Sequence, residues 1–85
     1  AKVNNCYIAD GCVIDGEVSN SIIFRNVKIE AGACIKNSII MQNSIIEKNA
    51  YLDFVVADKN TKVTKDIEIR GAKTLPVVVN KGKTV

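Results

Sequence analysis

The chain has 85 residues, enough for one domain, and its 47% hydrophobic and 25% charged composition is that of a folded globular protein, not a disordered or fibrous one. It contains no histidine, which removes the usual general base, the Ser-His and Cys-His nucleophile pairs and the commonest zinc ligand. The formal net charge of +3 is uneven, with five Lys or Arg against six Asp or Glu in residues 1–57 and seven against three in residues 58–85.

From the N-terminus, Ala1 stands directly in front of the first repeat unit with neither an initiator Met nor capping residues. The chain then falls into columns of like residues seventeen apart: Val18, Ile35, Leu52 and Ile69 in one, Ile29, Ile46 and Val63 in a second, and Asn26, Asn43 and Asn60 in a third. Such columns indicate one structural rung laid on the next, because no rung buries its apolar face alone. Within each rung the pattern steps by about six residues, as in Ile29–Cys34, Ile35–Ile40, Ile46–Tyr51 and Leu52–Ala57, each opened by an aliphatic residue. That step is too short for a helical repeat, and the β-branched content favours strands. Three short strands per turn make a triangular prism, with two steps of six and one of five completing the seventeen.

Corner residues support the prism. Gly11, Gly32, Asn49 and Asp66 precede the second inward residue of successive rungs, and these types tolerate a left-handed backbone. The first rung is irregular: Ile8 precedes Ile29 by twenty-one residues, which predicts four extra residues bulged through Asp15-Gly-Glu17. The Asn26, Asn43 and Asn60 amides are expected to stack along one edge and hydrogen-bond between rungs. Regular rungs are expected over about 7–72, since Lys73 breaks the column of Ile22, Ile39 and Val56. Residues 73–85, with Pro76, Val77-Val-Val79 and Asn80-Lys-Gly82, are expected to cap the last rung irregularly, so that 1–85 form a single all-β domain.

The three cysteines, Cys6, Cys12 and Cys34, are odd in number and lack metal-ligand spacing. Cys12 aligns with Ala33 and Cys34 with Val13, which predicts a packing role for each. No apolar run is long enough for a signal peptide or membrane span, so no membrane partner and a cytoplasmic setting are expected. Nucleic-acid binding needs a concentrated basic face with interleaved aromatics. Here Lys59, Lys62, Lys65, Arg70, Lys73, Lys81 and Lys83 are spread along outward positions, away from Tyr7, Phe24, Tyr51 and Phe54, which predicts a solvated surface. Glycines are scattered at corners and tails, with no phosphate-cradling loop.

The hexad pattern from about Tyr7 to Ala72 resembles the left-handed parallel β-helix of the hexapeptide-repeat superfamily, with about four rungs. That fold serves acyltransferases, carbonic anhydrase-like enzymes and the C-terminal domains of sugar-nucleotide transferases. The first two rely on His, which this chain lacks; a free-standing acyltransferase is the alternative reading. More closely, Asn20-Ser-Ile-Ile-Phe-Arg25, Val27-Lys-Ile29 and Ile35-Lys-Asn-Ser-Ile-Ile-Met-Gln42 are similar to the C-terminal domain of the glucose-1-phosphate adenylyltransferase (ADP-glucose pyrophosphorylase) family. Ile39-Ile-Met-Gln42 and the segment Lys73–Lys83 resemble its GlgD-type subunits most. The resemblance implies a longer parent whose N-terminal nucleotidyltransferase domain forms ADP-glucose and pyrophosphate from ATP and glucose 1-phosphate with Mg2+. It implies no catalytic, cofactor or metal residue in this chain, a role in assembly and regulation, and as partners its own catalytic domain and other subunits in a homo- or hetero-oligomer. Arg25, Lys28 and Arg70 are the expected contacts should an anionic effector such as a sugar phosphate touch this domain.

Overall fold

Two or three residues are all that the chain places between successive corners, so every strand is short. The computed structural model of the protein describes residues 2–85 and contains fourteen strands and no helix among them. They wind into three parallel sheets, forming the left-handed β-helix expected from the hexads. The first sheet stacks β1 (Lys2–Asn4), β4 (Glu17–Ser19), β7 (Cys34–Lys36), β10 (Tyr51–Asp53) and β13 (Glu68–Arg70). The second stacks β2 (Tyr7–Ile8), β5 (Ile22–Ile23), β8 (Ile39–Ile40), β11 (Val55–Ala57) and β14 (Val77–Val79). The third stacks β3 (Val13–Ile14), β6 (Lys28–Ile29), β9 (Ile45–Ile46) and β12 (Lys62–Val63), and a parallel bridge from Lys62 to Thr84 extends it. Ala1 lies outside the described residues.

The predicted columns are the observed register. Val18, Ile35, Leu52 and Ile69 pair in succession, as do Ile29, Ile46 and Val63. Their side chains point inward with Ile23, Ile40 and Val55, and all of these except Ile69 are 0–1% exposed. Burying each such side chain contributes about 1.5–3 kcal/mol. Where a rung turns, buried hydroxyls take over hydrogen bonds the sheets do not make. Ser38 Oγ accepts from the Val55 N–H at 3.1 Å and donates to the Lys36 carbonyl at 2.6 Å, while Ser21 Oγ accepts from the Ser38 N–H at 3.1 Å.

Three columns of left-handed residues run down the corners. One is Asn5, Asn20, Asn37 and Phe54, with φ from 49° to 53°; the second is Gly11, Asn26, Asn43, Asn60 and Gly82, with φ from 57° to 77°; the third is Gly32, Asn49 and Asp66, with φ from 60° to 80°. All four expected corner residues are thus left-handed, but Gly11 belongs under Asn26 and not under Gly32, since a Cβ on Gly11 would strike the Asn26 amide oxygen. Asn26, Asn43 and Asn60 do stack, bonded to the neighbouring rung through backbone N–H groups at 3.1–3.2 Å to Asp10, Arg25 and Gln42 carbonyls. The amide-to-side-chain bonds between rungs occur at the first corner, from Asn5 Nδ2 to Asn20 Oδ1 at 2.7 Å and from Asn37 Nδ2 to Asp53 Oδ1 at 3.1 Å.

The first turn corrects the sequence reading. Val3, Ile8 and Ile14 pair with Val18, Ile23 and Ile29, so the first turn has fifteen residues, and Ile8 does not share the column of Ile29. The Asp15-Gly-Glu17 corner is the irregular one, but it is two residues shorter than its successors instead of four longer. Gly16 permits this tightening: a Cβ there would come within 2.9 Å of the Glu30 carbonyl and nearer still to that of Ala33. Cys12 accordingly stacks on Val27, and Cys34 faces outward between Glu17 and Tyr51, outside the core, contrary to its expected packing role. At the other end, residues 73–85 lie over the last rung and continue two of the sheets. Lys73-Thr74 form a turn closed by an antiparallel bridge between Ala72 and Leu75, after which Val77–Val79 resume the second sheet on β11 and Val85 bonds to the Lys62 carbonyl.

Two substitutions at Asn43 test the corner. At a φ of 62°, Asn43→Gly is expected to unfold within about 0.5 kcal/mol of the parent in a urea titration, whereas Asn43→Val loses about 1–2 kcal/mol because a β-branched residue crowds its own carbonyl there.

Candidate functional site

Strand alternation sends every second residue outward, so each sheet presents columns whose side chains are free of the core. The three faces differ in chemistry. On the first, Lys2, Glu17, Cys34, Tyr51 and Glu68 form one outward column and Asn4, Ser19, Lys36, Asp53 and Arg70 the other. Tyr51 lies between two cations, with Arg70 Cζ 4.5 Å and Lys36 Nζ 5.8 Å from its ring centre. The Arg70 guanidinium is held above its usual pKa first by its hydrogen bond to Glu68 and then by the charge of that carboxylate. On the third face Lys28 pairs with Glu30 at 3.8 Å and Lys62 with Glu47 at 3.5 Å.

The second face is apolar. Its outward column reads Tyr7, Ile22, Ile39, Val56 and Val78 in unbroken register, flanked by Ala9, Phe24 and Met41. Tyr7 is 69% exposed, Val78 58%, Ile22 43% and Phe24 39%. Five strands at a spacing of about 4.8 Å make this strip about 20 Å long. Tyr7, Ala9, Ile22, Phe24, Arg25 and Gln42 line a groove of about 350 Å³ at its margin, where two aromatics and an arginine meet. Those residue types dominate the energetic centres of protein interfaces.

The face was visible in the sequence only as the column Ile22, Ile39 and Val56, read there as a marker of register. Its meaning depends on which residue of Ile22-Ile23 and Ile39-Ile40 turns outward, and burial settles that, Ile23 and Ile40 being fully covered while Ile22 is exposed. The three expected effector contacts do not converge. Arg25 sits at the corner between the second and third faces, Lys28 on the third beside Glu30, and Arg70 on the first against Glu68 and Tyr51. Among the described residues no group of three His, Cys, Asp or Glu is placed to hold a metal ion, the three thiols are unbridged, and no helix is long and apolar enough to cross a membrane.

Comparison with known proteins agrees with the fold and with the family that the sequence resembles. Residues 1–74 match the family model described as the GlmU-like, C-terminal hexapeptide. The chain is 42% identical over 82 residues to the glycogen biosynthesis protein GlgD of Bacillus subtilis, covering 96% of this chain and 24% of that protein. It is 32% identical over 79 residues to the glucose-1-phosphate adenylyltransferases of Bacillus thuringiensis and Bacillus mycoides, covering 93% of this chain and 21% of each of those. The chain therefore spans a quarter or less of the length of these relatives, and it aligns with their C-terminal region. No solved structure gives a significant match.

The ion pairs of the first and third faces are exposed and hold little of the stability. Raising NaCl to about 1 M, where screening acts over about 3 Å, is expected to move the unfolding free energy by less than about 1 kcal/mol in a denaturant titration.

Proposed function

The chain belongs to the family of GlmU-like C-terminal hexapeptide domains, and from that premise we propose that it is the non-catalytic assembly and regulatory domain of a glucose-1-phosphate adenylyltransferase-type protein in glycogen biosynthesis, acting in the cytoplasm. The observation that carries the reading is the apolar second face. A contiguous apolar strip of this length on a small domain is the mark of a surface that is covered in the working assembly. The relatives are about four times as long as the chain, and the covering partner we propose is the nucleotidyltransferase domain of the same polypeptide or of a neighbouring subunit. The chemistry, ATP and glucose 1-phosphate giving ADP-glucose and pyrophosphate with Mg2+, belongs to that domain. A prism without histidine supports it by fixing where subunits sit.

Of the three cations, Arg25 is the one we retain as an effector contact. It borders the groove with Tyr7, Phe24 and Gln42, whereas Lys28 and Arg70 each already face a carboxylate. A guanidinium at such a margin gives bidentate hydrogen bonds to a phosphate, with the remaining ligands supplied by the docked domain.

The test uses the full-length polypeptide. Lysines in place of Ile22 and Val78, both outward and substantially exposed, are expected to leave the circular dichroism unchanged and to lower the assembled mass seen by light scattering. Arg25→Gln is expected to keep the assembly and weaken the response to a sugar phosphate at least severalfold. The 85-residue chain alone should form no ADP-glucose from ATP, glucose 1-phosphate and Mg2+, and should turn over no acyl-CoA. Unchanged assembly in the double variant, or turnover by the chain alone, would sink the reading.

A further inference from the structure

One corner of the prism changes character as the rungs advance. Between the first and second sheets the early rungs turn on Asn5-Cys6, Asn20-Ser21 and Asn37-Ser38, each asparagine being left-handed. In the next rung the pair becomes Phe54-Val55, and Phe54 holds a φ of 52°, a conformation that a bulky residue adopts only against strain. One rung on, residues 71–76 stand between Arg70 and Val77, where Phe54 alone separates their partners Asp53 and Val55. The added residues are not slack chain. Ala72 and Leu75 exchange both backbone hydrogen bonds, at 3.1 and 3.0 Å, which closes a two-residue turn over Lys73-Thr74, and residues 72–76 are all exposed.

A single exposed leucine is ordinary on a protein surface. Leu75 is set apart by where it stands. At 77% it is the most exposed large hydrophobic residue among those described, and it does not pack against the core. Pro76 follows it, and Val78, 58% exposed, then joins the outward apolar column of the second face. The turn therefore carries that apolar surface past the edge of the face, at the corner where Phe54 replaces asparagine. Lys73 is the one charged residue of the turn and makes no ion pair among the described residues.

We propose that the Ala72–Leu75 turn is an anchor that seats Leu75 in an apolar pocket with an acidic rim on the nucleotidyltransferase domain of a neighbouring subunit. The proposal rests on the assembly reading above and names the contact through which it works. Most of the relatives' additional length lies ahead of the region this chain matches, so the chain's own catalytic domain joins on the β1 side. The turn springs from β13, at the other end of the sheet order β1-β4-β7-β10-β13 and about 20 Å along the stack. That position faces it toward other subunits. A turn already closed by two hydrogen bonds has little conformational freedom left to lose on docking, and Lys73 opposite carboxylates sets the register and speeds encounter.

Light scattering of the full-length polypeptide over a range of concentrations tests the anchor. Leu75→Ser is expected to raise the dissociation constant of the assembly at least tenfold, and Lys73→Glu to raise it severalfold at low salt, where the charges are unscreened. Ile45→Ser, a change of the same kind at a 37% exposed residue of the third face, shifts it less than twofold. Circular dichroism stays that of the parent in all three, because none of these side chains belongs to the core. Assembly of Leu75→Ser at the parent's strength, or an equal loss in Ile45→Ser, overturns the proposal. A Leu75→Ser variant that keeps its assembled mass but is cut faster by protease between its two domains assigns the turn to its own catalytic domain and overturns the choice of partner. Lysines at Ile22 and Val78 that lower the mass while Leu75→Ser leaves it unchanged remove the anchor and leave the assembly reading standing.

Discussion

Everything in this structure depends on turning the backbone sharply three times per rung without breaking the register of the sheets. Every corner but those at Asp15-Gly-Glu17 and after β13 does so with one residue in the left-handed region, and in the regular rungs that residue recurs directly above its predecessor. Asparagine fills most of these places, at Asn5, Asn20, Asn26, Asn37, Asn43, Asn49 and Asn60, because among residues with a Cβ it tolerates positive φ well. Phe54 holds the same conformation with a φ of 52°, where a bulky residue is a genuine outlier. It precedes the rung whose first corner is extended by the Lys73-Thr74 turn, and its carbonyl accepts the Val77 N–H on which the second sheet restarts.

Fixed corners fix the division of labour between side chains. One residue of most strands, and two of β11, are committed to an interior too narrow for anything but Ile, Val, Leu and Ala, with Ser and Thr where a backbone N–H at a corner needs an acceptor. The outward residues carry no such constraint, and each face can acquire its own chemistry. That independence accounts for a strip of Tyr, Ile and Val sharing a prism with a face of Lys, Glu, Asp and Arg. The charged faces remain hydrated, whereas an apolar strip in water costs free energy until something covers it.

The period and the core were legible because the inward columns repeat by seventeen across the central rungs. The first turn was not, for a physical reason: a hexapeptide prism is nearly self-similar under a shift of six residues, which moves the pattern one face around. Matching Ile8 to Ile29, Gly11 to Gly32 and Val13 to Cys34 uses a spacing of twenty-one, which is the true fifteen plus one such step. A tightened corner therefore looked like an expanded one. The far end was obscured similarly, since five residues inserted around Lys73 displace Val77–Val79 from the column they rejoin. The apolar face was hidden because doublets such as Ile22-Ile23 and Ile39-Ile40 present two equivalent aliphatics, and only the direction each side chain takes in the folded prism distinguishes core from surface.

Rigidity also constrains any regulation through this domain. Arg25, Lys28 and Arg70 lie on a corner and two different faces, and a prism whose strands are stacked in continuous parallel register has no hinge with which to bring them together. A small anion that contacts Arg25 must therefore find its other ligands on a different domain or subunit. Its binding energy then includes the docking of that second surface, and by reciprocity of linkage the anion tightens the docking as much as the docking tightens the anion. In such an arrangement the β-helix contributes to regulation without changing shape, because the equilibrium being shifted is the placement of its neighbours against it.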